Sequence, residues 1–105
     1  MREESILIKV IEGYKLKTGA DIKPLLLKLR SSVMTYPGYV GAENLISEQD
    51  TSIVTMISTW EKADDWRLWE SSMNRQKIIE EIKALSVEEP RITTHWIIPT
   101  VGRSK

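Results

Sequence analysis

The chain has 105 residues, 41% of them hydrophobic, with 15 Lys+Arg balanced by 15 Asp+Glu, which fits one small globular domain, 1–105, with its core over about residues 5–98. Zero net charge and no run of like charges longer than two leave no basic surface for counterion-driven nucleic-acid binding. The absence of cysteine removes thiolate catalysis, disulfides and Cys-based metal sites, and a single histidine, His95, rules out a multi-His centre within one chain.

Ser5 to Glu12 is a β-branched run, with Ile6, Ile8 and Val10 on one face and Leu7, Lys9 and Ile11 on the other, and reads as a first strand with two largely apolar faces. Asp21 then stands as the N-cap of a helix carrying Ile22, Leu25, Leu26, Leu29 and Val33 at helical spacing, with Pro24 in its first turn. Tyr36-Pro37-Gly38 stops that helix, because the residue before proline is biased out of the α region.

Tyr39 to Ile46 and Ser52 to Trp60 read as two strands joined by the polar turn Ser47 to Thr51. A second helix starts near Ala63-Asp64-Asp65, acids suiting its positive end, and places Trp66, Trp69 and Met73 along one side. A continuation or a second short helix carries Ile78, Ile79, Ile82 and Leu85. Val87 to Pro90 breaks it, and Arg91 to Ile98 forms the last strand, closed by Pro99 and followed by a frayed tail over 99–105.

The order β-α-β-β-α-β predicts an α+β, ferredoxin-like domain with helices on one face of a four-stranded antiparallel sheet. The apolar residues on the other face would then lie bare in a monomer, which predicts a homodimer whose two sheets pack face to face into a dimeric α+β barrel. RNA-recognition motifs share the element order, but the third strand, Ser52 to Ser58, has no aromatic, Lys or Arg with which to stack and hold RNA, so no nucleic-acid partner is expected. With no long apolar run and no signal peptide, the chain reads as cytoplasmic with no membrane partner.

Three of the four tryptophans fall close together, at Trp60, Trp66 and Trp69. One buried helix face would absorb Trp66 and Trp69, and a ring whose NH needs a partner can also line a cavity. Adjacent carboxylates at Asp64-Asp65, Glu80-Glu81 and Glu88-Glu89 point about 100° apart on a helix, so they read as solvated faces and cap charges and not as a dyad or metal site.

In this segment the chain resembles the antibiotic biosynthesis monooxygenase family of small dimeric α+β barrels. The resemblance rests on a strand ending in Trp60-Glu61, an aromatic at Trp66, Trp69, Ser72 and Arg75, with Tyr36-Pro37-Gly38-Tyr39 leading into the second strand. It runs over about residues 5–98 and implies a homodimer with a pocket in each protomer between sheet and helices. It further implies cofactor-independent oxygenation of phenolic molecules in some members and haem cleavage in others. Haem-degrading members carry an Asn on the first strand, a Trp on the second helical segment and a His ten residues later. Trp69 matches the Trp, whereas Val10 and Ile79 stand at the other two positions, so haem chemistry and bound cofactors are not expected.

In the cofactor-free members the deprotonated substrate supplies the electrons, and the protein supplies a dry pocket, donors for a developing oxyanion and a route for the proton. The candidates for that chemistry are Trp69 as indole donor and flat wall, Asn44 on the second strand as amide donor, Arg75 as the charge stabilising a phenolate and His95 as the one near-neutral base. Trp60, Trp66, Tyr36, Tyr39 and Met73 are the expected lining of a pocket for a small aromatic or quinone-type molecule. Each candidate also has a structural reading: Asn44 satisfying a strand edge, Arg75 paired with Glu70 or Glu80 on the helix surface, and His95 directed into a dimer interface. A non-catalytic, ligand-binding or regulatory dimer on the same scaffold is the alternative function.

Overall fold

The computed structural model describes residues 7–100. In chain order it contains β1 (Ile8–Lys15), α1 (Lys23–Val33), β2 (Tyr39–Ile46), β3 (Ile53–Trp60), α2 (Ala63–Glu70), α3 (Met73–Ala84) and β4 (Arg91–Trp96). The strands form one sheet in the order β2-β3-β1-β4 with every neighbouring pair antiparallel, the ferredoxin-like α+β topology expected from the element order.

Strand alternation decides what faces the helices. On β1, Ile8, Val10, Glu12 and Tyr14 are buried, and they pair with Trp60, Ser58, Met56 and Val54 of β3, which are buried too. Leu25, Leu29 and Val33 of α1, Trp66 and Trp69 of α2, and Ile78, Ile79 and Ile82 of α3 close over that face to complete the core. Among the described residues no helix covers the opposite face, which carries Ile11, Ile53, Ile57 and Leu45 among Thr55, Thr59 and Thr93, with Lys9, Glu43 and His95.

Several boundaries differ from the sequence-based expectation. The first strand continues past Glu12, because Gly13, Tyr14 and Lys15 keep pairing with Thr55, Val54 and Ile53; the expected start at Ser5 and Ile6 lies outside the described residues, as does the tail beyond Thr100. Asp21 sits one residue before the assigned cap Ile22, yet its Oδ1 accepts from the Lys23 N–H at 3.1 Å and so satisfies one of the free amides of the first turn. The last strand ends at Trp96 and not Ile98, with one further bond from the Ile97 N–H to the Leu7 carbonyl (3.0 Å).

Of the two expected alternatives after the tryptophan helix, continuation or a second helix, the structure has the second, with the break at Ser71-Ser72; what differs is the place of Met73. Ser71 Oγ donates to the Arg67 carbonyl at 3.0 Å and ends α2, while Ser72 is the extended N-cap of α3, its Oγ accepting from the Arg75 N–H at 3.2 Å. Met73 therefore starts a new helix and does not extend the Trp66–Trp69 stripe. Its side chain is exposed.

Candidate active site

The helix-covered face is not filled evenly. Between α1 and the β2–β3 edge a cavity of about 270 Å³ remains, bounded by Leu26, Leu29, Arg30 and Val33 on the helix and by Tyr39, Ala42, Asn44, Met56, Ser58 and Trp60 on the strands. Trp69, Arg75 and Glu12 also line it. Beside it runs a second, more apolar groove of about 370 Å³ that shares Leu26, Arg30 and Asn44 and adds Ile22, Leu27, Leu45, Ile46 and Val54. Taken together the two are large enough for a molecule of two or more rings, by the usual size of small-molecule sites.

Aromatic packing sets the walls. Trp60, fully buried, meets Trp66 at 6.0 Å and Tyr39 at 5.5 Å, both edge to face, and its Nε1 donates to Ser58 Oγ at 3.0 Å. Tyr36 packs edge-on to Trp69 at 4.9 Å and its hydroxyl accepts from Asn74 Nδ2 at 3.3 Å. Trp69 Nε1 donates to no described group, and since no buried side-chain nitrogen or oxygen in the described residues lacks a partner, this NH is not sealed in the core; Trp69 is one of the residues that line the cavity. Asn44, an exposed residue of β2, lines both the cavity and the groove.

At the base lies a charged cluster that burial makes consequential. Ser72 caps α3 and fixes the Arg75 backbone, so the Arg75 guanidinium runs inward, where it bonds Glu12 Oε1 at 2.6 Å and sits 5.2 Å from the centre of the Trp66 ring. Arg75 and Glu12 are 6% and 5% exposed at the side chain, so each ion's lost hydration is offset chiefly by the other. Tyr14 adds a third member, its hydroxyl donating to the same Glu12 Oε1 at 3.0 Å. Burial, and next the Glu12 charge, hold that phenol well above its usual range, with Arg75 pulling the other way.

The structure thus brings Trp69, Asn44, Arg75, Trp60 and Tyr39 to one cavity. It does not bring the rest of the expected set there. Trp66 lies behind Trp60 and under Arg75, Tyr36 backs Trp69, and Met73 is displaced by the helix break. His95 pairs in register with Lys9 on the sheet face away from the helices, exposed, its Nε2 2.9 Å from Thr93 Oγ1. Arg75 pairs with neither Glu70 nor Glu80 side chains but with Glu12, because the first turn of α3 points it at β1. Glu12 is the residue that sequence reading missed. Its signal was parity, since it shares the Ile8–Val10 face and a carboxylate there needs a buried partner.

Val10 and Ile79, at the positions where haem-degrading members carry Asn and His, are both core residues. Among the described residues no three His, Asp or Glu side chains gather as a metal site, and no helix is long and apolar enough to cross a membrane.

No family model matches the chain, and a search of curated proteins returned no match. Solved structures do match in fold. A conserved protein from Methanosarcina mazei Go1 superposes with a TM-score of 0.81 at 15% identity, over 89% of this chain and 94% of that one. A structure named antibiotic biosynthesis monooxygenase gives 0.79 at 16% identity, over 88% and 99%. SnoaB, a cofactor-independent oxygenase from Streptomyces nogalater, gives 0.78 at 14% identity, over 93% and 98%. The chain has the α+β fold of the structures named antibiotic biosynthesis monooxygenases, along nearly its whole length.

Proposed function

We propose that the chain is a cofactor-independent monooxygenase that oxidises a small phenolic or quinone-type aromatic in the cavity between α1 and β2–β3. The observation that carries this reading is an aromatic-walled cavity lined by Trp69, whose NH no described group accepts, together with Asn44 and the Arg75 charge. The fold shared with a cofactor-independent oxygenase supports it.

The chemistry is one in which the substrate is the reductant. An activated CH2 flanked by aromatic rings loses a proton, its anion transfers electrons to O2, and the net change is CH2 + O2 → C=O + H2O, with the substrate supplying all four electrons. Trp69 Nε1 and the Asn44 amide are donors for the oxyanion, and Arg75 is a fixed positive charge beside it. The cavity walls keep the anion from bulk water, where it would be reprotonated.

The test is oxygen uptake by chelator-treated protein with a panel of hydroquinones and anthrones. Wild type is expected to consume O2 in step with product. Trp69→Phe keeps the wall and deletes the NH, and is expected to lower the rate about 10²-fold, as loss of one oxyanion donor does. Binding without turnover of any member of the panel would point instead to a ligand-binding dimer on the same scaffold.

The dimer belongs to the same proposal. Ile11, Ile53, Ile57 and Leu45 on the uncovered sheet face, with Leu45 and Ile53 47% and 39% exposed, support a second copy packed against it to form the barrel.

A further inference from the structure

We infer that Glu12 is the proton acceptor of this site, acting through its free carboxylate oxygen, Oε2; the inference rests on the oxygenase reading above.

The geometry separates the two oxygens of Glu12. Both donors that reach the carboxylate, Arg75 Nη2 at 2.6 Å and Tyr14 Oη at 3.0 Å, fall on Oε1. Oε2 accepts from no described group, and since no buried polar side-chain atom among the described residues is left without a partner, Oε2 is not sealed in the core. The open space that Glu12 lines is the cavity. A carboxylate held by one oxygen and open at the other has its proton-accepting lone pairs aimed at the ligand space, and the two bonds to Oε1 fix that direction.

The rest of the site offers no competitor. Among the cavity-lining residues Glu12 is the single carboxylate, and none is a histidine. His95 stands on the other side of the sheet. The charges also balance. When the substrate C–H or O–H breaks, its electron pair stays on the substrate and the proton forms an O–H bond at Oε2. The negative charge then moves from Glu12 to the substrate, still beside the Arg75 guanidinium, so the buried part of the site keeps one anion and one cation throughout, with the exposed Arg30 on the helix wall as a further cation. O2 is the electron acceptor in the step that follows, and the proton leaves with the water formed.

The test is the pH dependence of oxygen uptake with an anthrone, read for wild type and Glu12→Gln. A protein base lets wild type turn over well below the pH at which the substrate ionises by itself. Glu12→Gln keeps the shape and the acceptor for Arg75 and Tyr14, and is expected to lower kcat by about 10²–10⁴-fold with KM held. Its rate is expected to climb about tenfold per pH unit towards the substrate's own pKa, following the self-ionised fraction. A role confined to holding Arg75 would not produce that slope. If the single variant fails to fold because Arg75 is left charged against a neutral partner, Glu12→Gln with Arg75→Gln removes both charges, and the same slope is expected. A wild-type rate that already falls tenfold per pH unit below the substrate pKa overturns the assignment while leaving the oxygenase reading intact. A Glu12→Gln profile parallel to wild type does the same. Wild type that turns over no member of the panel overturns both.

Discussion

Glu12, Arg75 and Tyr14 show how a single buried charge organises its surroundings. A carboxylate on the core face of β1 is expensive unless paired, and the chain meets that cost with the 2.6 Å bond from Arg75 and the 3.0 Å bond from Tyr14. Because folding raises the Tyr14 pKa, its contribution to stability is fully present below the unfolded phenol value of about 10 and is lost as pH rises above it. Wild type is therefore expected to lose stability more steeply above about pH 10 than Tyr14→Phe, with thermal melts across pH 8–11 as the check. At neutral pH the Phe variant should melt lower, by about 1 kcal/mol for the missing hydrogen bond. At this scale the sequence was legible where one chemical property decides, as for Trp69, Asn44 and Arg75, which do line the cavity. It was not legible where direction decides. Trp60, Trp66 and Trp69 are chemically alike, yet Trp60 donates its NH to Ser58 and Trp66 does not line the cavity, which leaves Trp69 as the cavity-lining tryptophan with no described acceptor for its NH.

Helix ends place these side chains. The Ser71-Ser72 break settles the choice between a continued helix and a second one in favour of α2 and α3, and the Ser72 cap sets the helix turn from which Arg75 reaches β1. Ser72→Ala is expected to cost about 1 kcal/mol, typical of a lost N-cap, measured by denaturant unfolding. Two serines in a row hydrogen-bond local backbone as readily as they continue a helix, and periodicity alone does not say which wins; this is why Met73 read as part of the tryptophan stripe. The turn into β2 was plainer. Gly38 has φ +80°, and a Cβ there would fall on the Asp65 carboxylate, so the Tyr36-Pro37-Gly38 stop requires glycine at that point. The first strand ran three residues longer than read, because Gly13 and the polar Glu12 look like a strand end until their pairing with β3 is seen.

On the scale of the molecule, element order alone carried the sheet topology, since β-α-β-β-α-β with short connections has few compact solutions. The cavity was not legible there, because it is what remains between α1 and the β2–β3 edge after every side chain has taken its direction. The uncovered sheet face is the other whole-molecule property, with Ile57 at its centre opposite Ile11 and beside Glu43. Sedimentation velocity at micromolar concentration is expected to give a dimer for wild type and a monomer for Ile57→Lys, which places a charge in the middle of the proposed contact. A wild-type monomer would remove the dimer from the account.

The central claim, that oxygen chemistry takes place in this cavity, is tested most directly by filling it. Ala42 lines the cavity from β2 on the helix side of the sheet, where a larger side chain can occupy ligand space from the sheet edge. Oxygen uptake with a substrate turned over by wild type should fall to background in Ala42→Trp while the melting temperature and secondary structure are retained. Uptake unchanged in the folded variant would contradict the claim.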